Sequence, residues 1–351
     1  MYFHIVKKRN KKTGESPTQS YIVGFGVVIP LLFTIPFGII TILGIKNTSI
    51  MIGASALTLS VPFNCVEALY DTTLEGVEDS FSLYVGYNCS IIPFQRDKEG
   101  RPIPTNRVYL QNKFGSILLK LAMTVSIFNV LFAYDYIVFP PPDYSSLLHY
   151  LHWAHILNNF TLACLTSVCL DFGSTAIGFI VSLVTGNQTI QFMDNPILLS
   201  TSPSDFWGRR WNLMIHKSFK RGIYKPFRKS GYSRVVGAVA TFTVSGLMHE
   251  YVNLVVSMKA RLYPEIALPY TPLWGAHSAF FLWNGGVMVI EYAVLSSPDF
   301  RKIASYTPRP LKTLFVLLTV LPVANWFTDE YIRSGFYTDY SEGFPILDHK
   351  M

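Results

Sequence analysis

The sequence predicts an all-α integral membrane protein, a bundle of about seven to nine transmembrane helices, and two observations support this. Only 15% of the 351 residues are charged and 50% are hydrophobic, with a mean hydropathy of +0.30. Soluble domains average about 25% charged residues. The apolar residues also come in runs of the length that crosses a bilayer as a helix, which is roughly 20 residues. A water-soluble fold is therefore excluded.

Seven apolar runs are long enough to span the bilayer. They cover residues 21–45, 50–69, 117–139, 148–170, 235–256, 279–295 and 311–327. A further apolar stretch, 172–185, is short for a crossing, and we expect it to be a re-entrant or interfacial segment. No repeat or change in composition divides the chain, so residues 1–351 are expected to form a single membrane-embedded domain.

Two long polar loops, 71–116 and 186–234, are rich in Lys and Arg, and the net charge of the chain is +7. In multi-pass proteins such charge marks cytoplasmic loops and contacts with anionic head groups, so no nucleic-acid partner is expected. If both loops and the N-terminus share the cytoplasmic side, seven spans place the C-terminus on the opposite side. A separate crossing by 172–185 would reverse the C-terminal half.

Residues 202–229 have the pattern of a helix lying in the membrane interface. Ser202 can cap this helix with Pro203 at its first position, and Asp205 stands where a capping box has its acidic partner. Aromatic and aliphatic residues then recur at helical spacing, with lysines and arginines between them. The periodicity alone fits a plain membrane anchor equally well.

His249 and Glu250 are ionisable residues inside an otherwise apolar span. A charge at this depth costs about 3 kcal/mol on insertion scales, so such residues usually face a cavity or the protein interior. A neutral His is suited to accept a proton near neutral pH, which makes His249 a candidate general base for a hydroxyl that attacks a thioester. The alternative is a His and a Glu that are merely satisfied by neighbouring helices.

Other catalytic arrangements are not favoured. The chain has no GxSxG elbow and no evident Cys–His arrangement, so direct transfer is preferred over an acyl-enzyme. His149, His152 and His155 form an HxxHxxH run, but steps of three drift around a helix and do not share one face. No metal site is therefore expected.

Two stretches resemble a known family. The Thr-Ser pair at 201–202, DFWGRRWN at 205–212 and the Tyr-x-Pro at 224–226 are similar to the signature of eukaryotic wax synthases. Downstream, VSGLMHE at 244–250 matches that family without change. Wax synthases belong to the membrane-bound O-acyltransferase superfamily, and the detailed resemblance covers about 195–256.

The resemblance implies a helical fold around an intramembrane reaction chamber, in the endoplasmic reticulum. Acyl-CoA enters from the cytoplasmic side as co-substrate, without a cofactor, and a long-chain alcohol arrives from the bilayer to form a wax ester. His249 is then the general base and Asn212 the second catalytic residue, which orients the substrate or polarises the thioester carbonyl. Substrate-contacting roles fall to Asp205, Trp207, Arg209, Arg210, Trp211 and Glu250. The arginines could alternatively pair with Asp205 or Glu250 as structural ties.

One position departs from the family pattern. Family members commonly carry Leu-His-Gly in the following span, whereas this chain has Trp283–Asn284–Gly285. Asn284 exchanges hydrogen bonds but does not act as a base at neutral pH. If this position helps to bind the acceptor, the acceptor of this chain differs.

The sequence leaves several interpretations of the acceptor and of the functional class open. The acceptor could be a sterol, a diacylglycerol or a terpenoid alcohol, and neither the acyl length nor the oligomeric state follows from the residues. In a different class, His249 and Glu250 could serve a proton-coupled transporter. A non-catalytic lipid-binding scaffold is the third possibility.

Overall fold

A computed structural model describes residues 1–10, 13–90, 92–140, 143, 145–265 and 270–346. These residues are mainly helical, and within these ranges extended backbone pairs only in isolated bridges. The α-helices are α1 Thr18–Val23, α2 Ile29–Leu43, α3 Thr48–Thr58, α4 Ser60–Leu69, α5 Phe81–Cys89, α6 Arg107–Ala133, α7 Trp153–Thr185, α8 Pro196–Leu199, α9 Pro203–Asp205, α10 Leu213–Phe219, α11 Lys225–Lys229, α12 Arg234–Leu262, α13 Ala276–Val294, α14 Pro298–Tyr306, α15 Arg309–Val320, α16 Asn325–Arg333 and α17 Phe336–Tyr340. Shorter turns are 3-10 at Val6–Lys8, Leu147–Leu151 and Leu321–Val323, and π at Gly24–Val28, Phe206–Arg210 and Lys220–Tyr224.

Five helical stretches in the described residues are long and apolar enough to cross a membrane. They are Thr18–Leu43, Thr48–Leu69, Arg107–Ala133, Trp153–Thr185 and Arg234–Leu262. Two bent pairs raise the number to seven if each counts as one span: α13 with α14, bent by 105°, and Arg309–Val323 with α16, bent by 53°. The predicted all-α, multi-pass architecture is confirmed, at the lower end of the expected seven to nine spans.

The expectation of a separate segment at 172–185 is wrong. These residues continue α7, whose 33 residues make a helix about 50 Å long. No proline interrupts this stretch, and Gly173 costs a helix only about 1 kcal/mol, which its apolar neighbours outweigh. The helix ends at Gly186, whose φ of +69° is the left-handed conformation that glycine adopts readily at helix ends.

α6 begins ten residues before the predicted span, because Asn106 caps it by accepting from the Tyr109 amide. Its Lys120 forms an ion pair with Asp171 of α7 at 2.9 Å, and both side chains are largely buried. Charges within a bundle are tolerated when they pair in this way. α6 and α7 therefore form a helical hairpin that this ion pair stabilises.

The described loops segregate to two ends of the bundle. The two polar loops touch each other through the bridges Phe94–Thr189 and Pro104–Asn187, so they share one end. Arg9 joins that end through a 2.8 Å ion pair with Asp71. At the other end, Asp339 near the C-terminus pairs with Lys259 at 2.8 Å. The predicted sharing of one side by the polar loops and the N-terminus is confirmed.

α12 and α13 pack against each other at very short range. A Cβ added at Gly246 would lie 2.7 Å from the Cα of Ser278, so the close approach requires glycine. One turn later, Glu250 Oε1 accepts from the Ser278 amide at 3.0 Å and caps the start of α13. His249 lies between these two contacts, and its position on α12 is therefore set by the packing.

We expect Gly246→Ala to destabilise the protein by about 1–3 kcal/mol, because the added methyl group must push two backbones apart. The measurement is thermal unfolding of the purified protein in detergent. Gly286→Ala on α13 is the matched control, since no atom beyond its chain neighbours and its own helix backbone lies within 4 Å of its added Cβ. Equal unfolding temperatures for the two variants would show that the close approach contributes nothing.

Candidate functional site

The predicted helix start in the polar loop is present in the structure. Ser202 Oγ accepts from the Asp205 amide at 3.1 Å, with Pro203 as the first helical residue. The Asp205 carboxylate accepts from the Thr201 amide at 3.1 Å instead of from Ser202, and from Arg210 Nε at 2.8 Å. The cap is thus confirmed, but the Asp205 carboxylate bonds the amide of the residue before Ser202 and not that of Ser202 itself.

The expectation of one continuous interfacial helix over 202–229 is wrong. A π turn at Phe206–Arg210 ends in extended backbone at Trp211, and Asn212 has φ 41° and ψ 64°, in the left-handed region. A left-handed residue ends one helix and begins another, so α10 starts here in a new direction. The aromatic side chains of this segment consequently point into the bundle.

Asn212 presents its side chain in a defined orientation. Its Oδ1 caps α10 by accepting from the Ile215 amide at 3.3 Å. No acceptor in the described part of the chain bonds its Nδ2. The hydrogen bond to Oδ1 therefore fixes the side-chain amide, and Nδ2 stays available to donate to another molecule.

His249 lies on α12 with one ring nitrogen occupied. The Tyr331 hydroxyl lies 3.3 Å from Nδ1, and the imidazole stacks on Phe281 with centroids 4.9 Å apart and an interplanar angle of 16°. Among the described residues none bonds Nε2. When Nδ1–H donates to the Tyr331 oxygen, Nε2 carries the lone pair that can take up a proton.

Two cavities meet at these side chains. The outer cavity, about 270 Å³, reaches toward the polar-loop end, and the inner cavity, about 180 Å³, reaches toward the opposite end. Both are lined by Trp207, Trp211, Asn212, Ile215, Phe219, His249 and Phe281. Asn212 and His249, predicted from separate motifs, therefore lie together where the two cavities join.

The two cavities differ in their remaining walls. The outer cavity adds Lys220, His216 and Tyr224, whereas the inner cavity is lined mainly by apolar residues such as Leu59 and Leu317. Burial lowers the pKa of His216, and Lys220 and Lys217 lower it further, so its imidazole is neutral near pH 7. A ligand with a polar end and an apolar chain matches this asymmetry.

The predicted tryptophans take part in the site. Trp207 lines both cavities, and its Nε1 donates to Asn284 Oδ1 at 3.2 Å. Trp211 stacks on Phe206 with centroids 5.4 Å apart and an interplanar angle of 14°. Asn284 is itself buried, also donates to the Phe280 carbonyl, and lines neither cavity. Asn284 therefore contacts the lining of the two cavities through Trp207.

The predicted charged residues lie outside the two cavities. Arg210 pairs with Asp205 at 2.8 Å and with Asp194 at 3.1 Å, which is the structural alternative raised by the sequence. Arg209 is exposed and pairs with no described carboxylate. Glu250 caps α13 instead of facing a cavity. Their predicted substrate contacts have no support from the geometry, because each side chain is committed elsewhere or points outward.

Sequence reasoning missed Tyr331 and Phe281. Tyr331 is 82 residues from His249 and belongs to no motif. Its one distinguishing feature in the sequence is that it follows two acidic residues in a predicted membrane-embedded region. His277 has both ring nitrogens occupied, by Asn253 at 3.2 Å and by the Phe327 carbonyl at 3.0 Å. This bonding gives His277 a structural role.

The three HxxHxxH histidines have different partners, although the rings of His149 and His155 lie with centroids 5.4 Å apart. His152 caps α7 through the Ala154 amide, His155 bonds the Pro322 carbonyl, and His149 bonds the Ser146 carbonyl. Within the described ranges, no group of three or more His, Cys, Asp or Glu side chains is placed to hold a metal ion.

Comparison with known proteins identifies the segment that carries both polar residues. Residues 191–270 match the model of the membrane bound O-acyl transferase family. The chain is 30% identical over 263 residues to the probable long-chain-alcohol O-fatty-acyltransferase 9 of Arabidopsis thaliana, over 72% of this chain and 66% of the relative. The resemblance to wax synthases is confirmed.

Two further relatives from the same plant differ in the acceptor that their names give. The chain is 29% identical over 165 residues to the probable long-chain-alcohol O-fatty-acyltransferase 8, over 45% of this chain and 44% of the relative. It is 34% identical over 146 residues to acyl-CoA–sterol O-acyltransferase 1, over 40% of this chain and 38% of the relative. The matches thus cover between 38% and 66% of these three relatives.

The adjacent arginines provide a matched pair of variants. Arg210→Gln should destabilise the protein by about 3 kcal/mol, because it leaves the nearly buried Asp205 without its charge partner. Arg209→Gln should change stability by less than about 0.5 kcal/mol, as expected at an exposed position. Thermal unfolding in detergent checks both, and a wild-type unfolding temperature for Arg210→Gln would contradict the assignment of Arg210 as a structural tie.

Proposed function

We propose that the chain is an acyl-CoA-dependent O-acyltransferase that transfers a fatty acyl group to a long-chain alcohol and forms a wax ester. One observation carries the proposal: His249 and Asn212 line both cavities at the place where they join. A base and a hydrogen-bond donor at such a junction suit a transfer between a polar donor and an apolar acceptor.

The proposed reaction is a direct transfer. The thioester of acyl-CoA lies at the junction with its carbonyl oxygen toward Asn212 Nδ2, which donates as negative charge develops on that oxygen. The alcohol gives its proton to His249 Nε2 while its oxygen forms the ester bond to the carbonyl carbon. The C–S bond then breaks, and the CoA thiolate takes the proton from His249. No acyl-enzyme, metal or cofactor enters this scheme.

The Tyr331 hydroxyl supports the base in this scheme. Its oxygen accepts from Nδ1–H of His249, which keeps the lone pair on Nε2 and stabilises the imidazolium once the proton has arrived. Phe281 holds the ring plane by stacking. The base is thereby aligned before the substrate binds, as preorganised catalysis requires.

The long-chain alcohol is the first choice of acceptor because several relatives are named for that activity and because the inner cavity is apolar. A sterol is the second choice, since the acyl-CoA–sterol relative is 34% identical over the matched residues. The cytoplasmic side of the endoplasmic reticulum is the proposed site of action, where acyl-CoA would reach the polar-loop end.

We expect His249→Ala to lower transfer by at least about 100-fold, the usual contribution of a general base. The assay uses membranes containing the chain, labelled palmitoyl-CoA, and a panel of hexadecanol, a sterol, diacylglycerol and a terpenoid alcohol. His4→Ala at the exposed N-terminal end is the control and should retain full activity.

The labelled product identifies the acceptor. A wax ester made by the wild type and lost with His249→Ala supports the whole proposal. A labelled sterol ester would instead identify a sterol as the acceptor. Undiminished transfer by His249→Ala would overturn the mechanism. No labelled ester from a folded wild type would favour the transporter or scaffold.

Asn212→Asp separates the two functions of the Asn212 side chain. Asp keeps the capping oxygen and tolerates the left-handed backbone, but it removes the Nδ2 donor. We expect folding to be unchanged and kcat to fall by about 100-fold, as for the loss of an oxyanion donor. Asn195→Asp is the matched control, because Asn195 has φ 43°, caps α8 in the same way and is exposed. Similar activities for the two variants would exclude a catalytic role of the amide.

A further inference from the structure

A third cavity of about 470 Å³ lies beside the two that hold His249 and Asn212. This lateral cavity is enclosed by α2, α4, the 220–232 segment and α12, with Phe63, Val66 and Ile223 among its apolar walls. Phe25 and Leu247 stand at its edge and are 47% and 58% exposed on the outside of the bundle. The lateral cavity therefore opens toward the surrounding lipid.

A wall of side chains separates the lateral cavity from the reaction cavities. Phe63 lines the lateral cavity and Phe219 lines the other two, and their rings touch edge to face with centroids 5.2 Å apart. Met248 completes the wall and contacts both sides. His249 and Asn212 are absent from the lining of the lateral cavity, so a molecule bound there does not meet the polar residues of the site.

The lateral cavity is deep enough to hold the hydrocarbon of one leaflet of a bilayer. Its lining extends from Tyr232, just before α12, to Met248, which is 14 residues into that helix. This is about 21 Å along the helix axis, against about 15 Å for the hydrocarbon of one leaflet. An acyl chain whose head group stays at the polar-loop end would fill it.

The mouth of the lateral cavity is strongly basic. Lys225, Arg228, Lys229 and Arg234 are exposed and lie within two residues of the lining positions Pro226, Phe227, Ser230 and Tyr232. The Arg228 guanidinium donates to the carbonyl of Tyr232, which places it at the mouth. Lys229 is near Asp71, but Lys225 and Arg234 form no ion pair with a described carboxylate. Residues 225–234 contain no acidic residue.

We propose that the lateral cavity binds an anionic glycerophospholipid, with one acyl chain inside the cavity and its phosphate against the basic mouth. The apolar depth recognises the chain, and the unpaired cations recognise the charge. A neutral alcohol would leave these cations without a partner, and the wall keeps it from His249. This inference does not depend on the proposed reaction.

The test is native mass spectrometry of the purified full chain in detergent, titrated with palmitoyl-oleoyl phosphatidylglycerol or phosphatidylcholine. The wild type should bind the anionic lipid more tightly. Lys225→Gln with Arg234→Gln should reduce that preference by about fivefold for each removed cation. Neither side chain makes a described hydrogen bond, so folding should be unaffected.

A second pair of variants tests the cavity itself. Leu247→Trp fills the deep, lipid-facing end of the cavity and should abolish tight binding of phosphatidylglycerol, whereas Leu254→Trp, exposed on the same helix but outside the cavity, should bind as the wild type does. Equal affinity of the wild type for the two lipids, or wild-type binding by Leu247→Trp, would overturn the proposal. One-for-one displacement of the phospholipid by hexadecanol would also overturn it and make the cavity an alcohol site.

Discussion

The rest of the site depends on the contact between Gly246 and Ser278. Between membrane helices there is little hydrophobic driving force, so close backbone packing at small residues supplies much of the association. Here the glycine lets α13 approach α12, and the Glu250 carboxylate fixes the start of α13 through the Ser278 amide. This pairing sets the distance between His249 and Phe281, which in turn orients the ring toward the joined cavities.

The polar-loop segment supplies the second half of the site by a different physical means. Asn212 reaches the cavities because its backbone is left-handed and its oxygen caps its own helix. One side chain thus ends a turn, starts a helix and keeps a free donor. In the apolar chamber this free donor carries a desolvation cost until a bound molecule accepts from it.

Residue patterns predicted the local features of this protein correctly. They failed to predict side-chain roles that depend on contacts between residues far apart in the sequence. The spans and the Ser202 cap both follow from a few adjacent residues. The position of 172–185 was misjudged because hydropathy measures length between polar residues and not helix continuity. Arg210 and Glu250 were expected at the substrate, but their partners Asp194 and Ser278 are set by tertiary packing. No motif links Tyr331 to His249, because the two residues come from different helices and meet only through tertiary packing.

The two π turns on either side of α10 have a consequence for how insertions and deletions act on this segment. A π turn at Phe206–Arg210 or Lys220–Tyr224 contains one residue more than an α turn. Deleting one residue from the second of these turns, which joins α10 to α11 without a break, would restore ordinary helical bonding at little backbone cost. Every side chain beyond the deletion would nevertheless rotate by about 100° around the helix axis. A length change that leaves the fold intact can therefore turn the aromatic face of this segment away from the bundle.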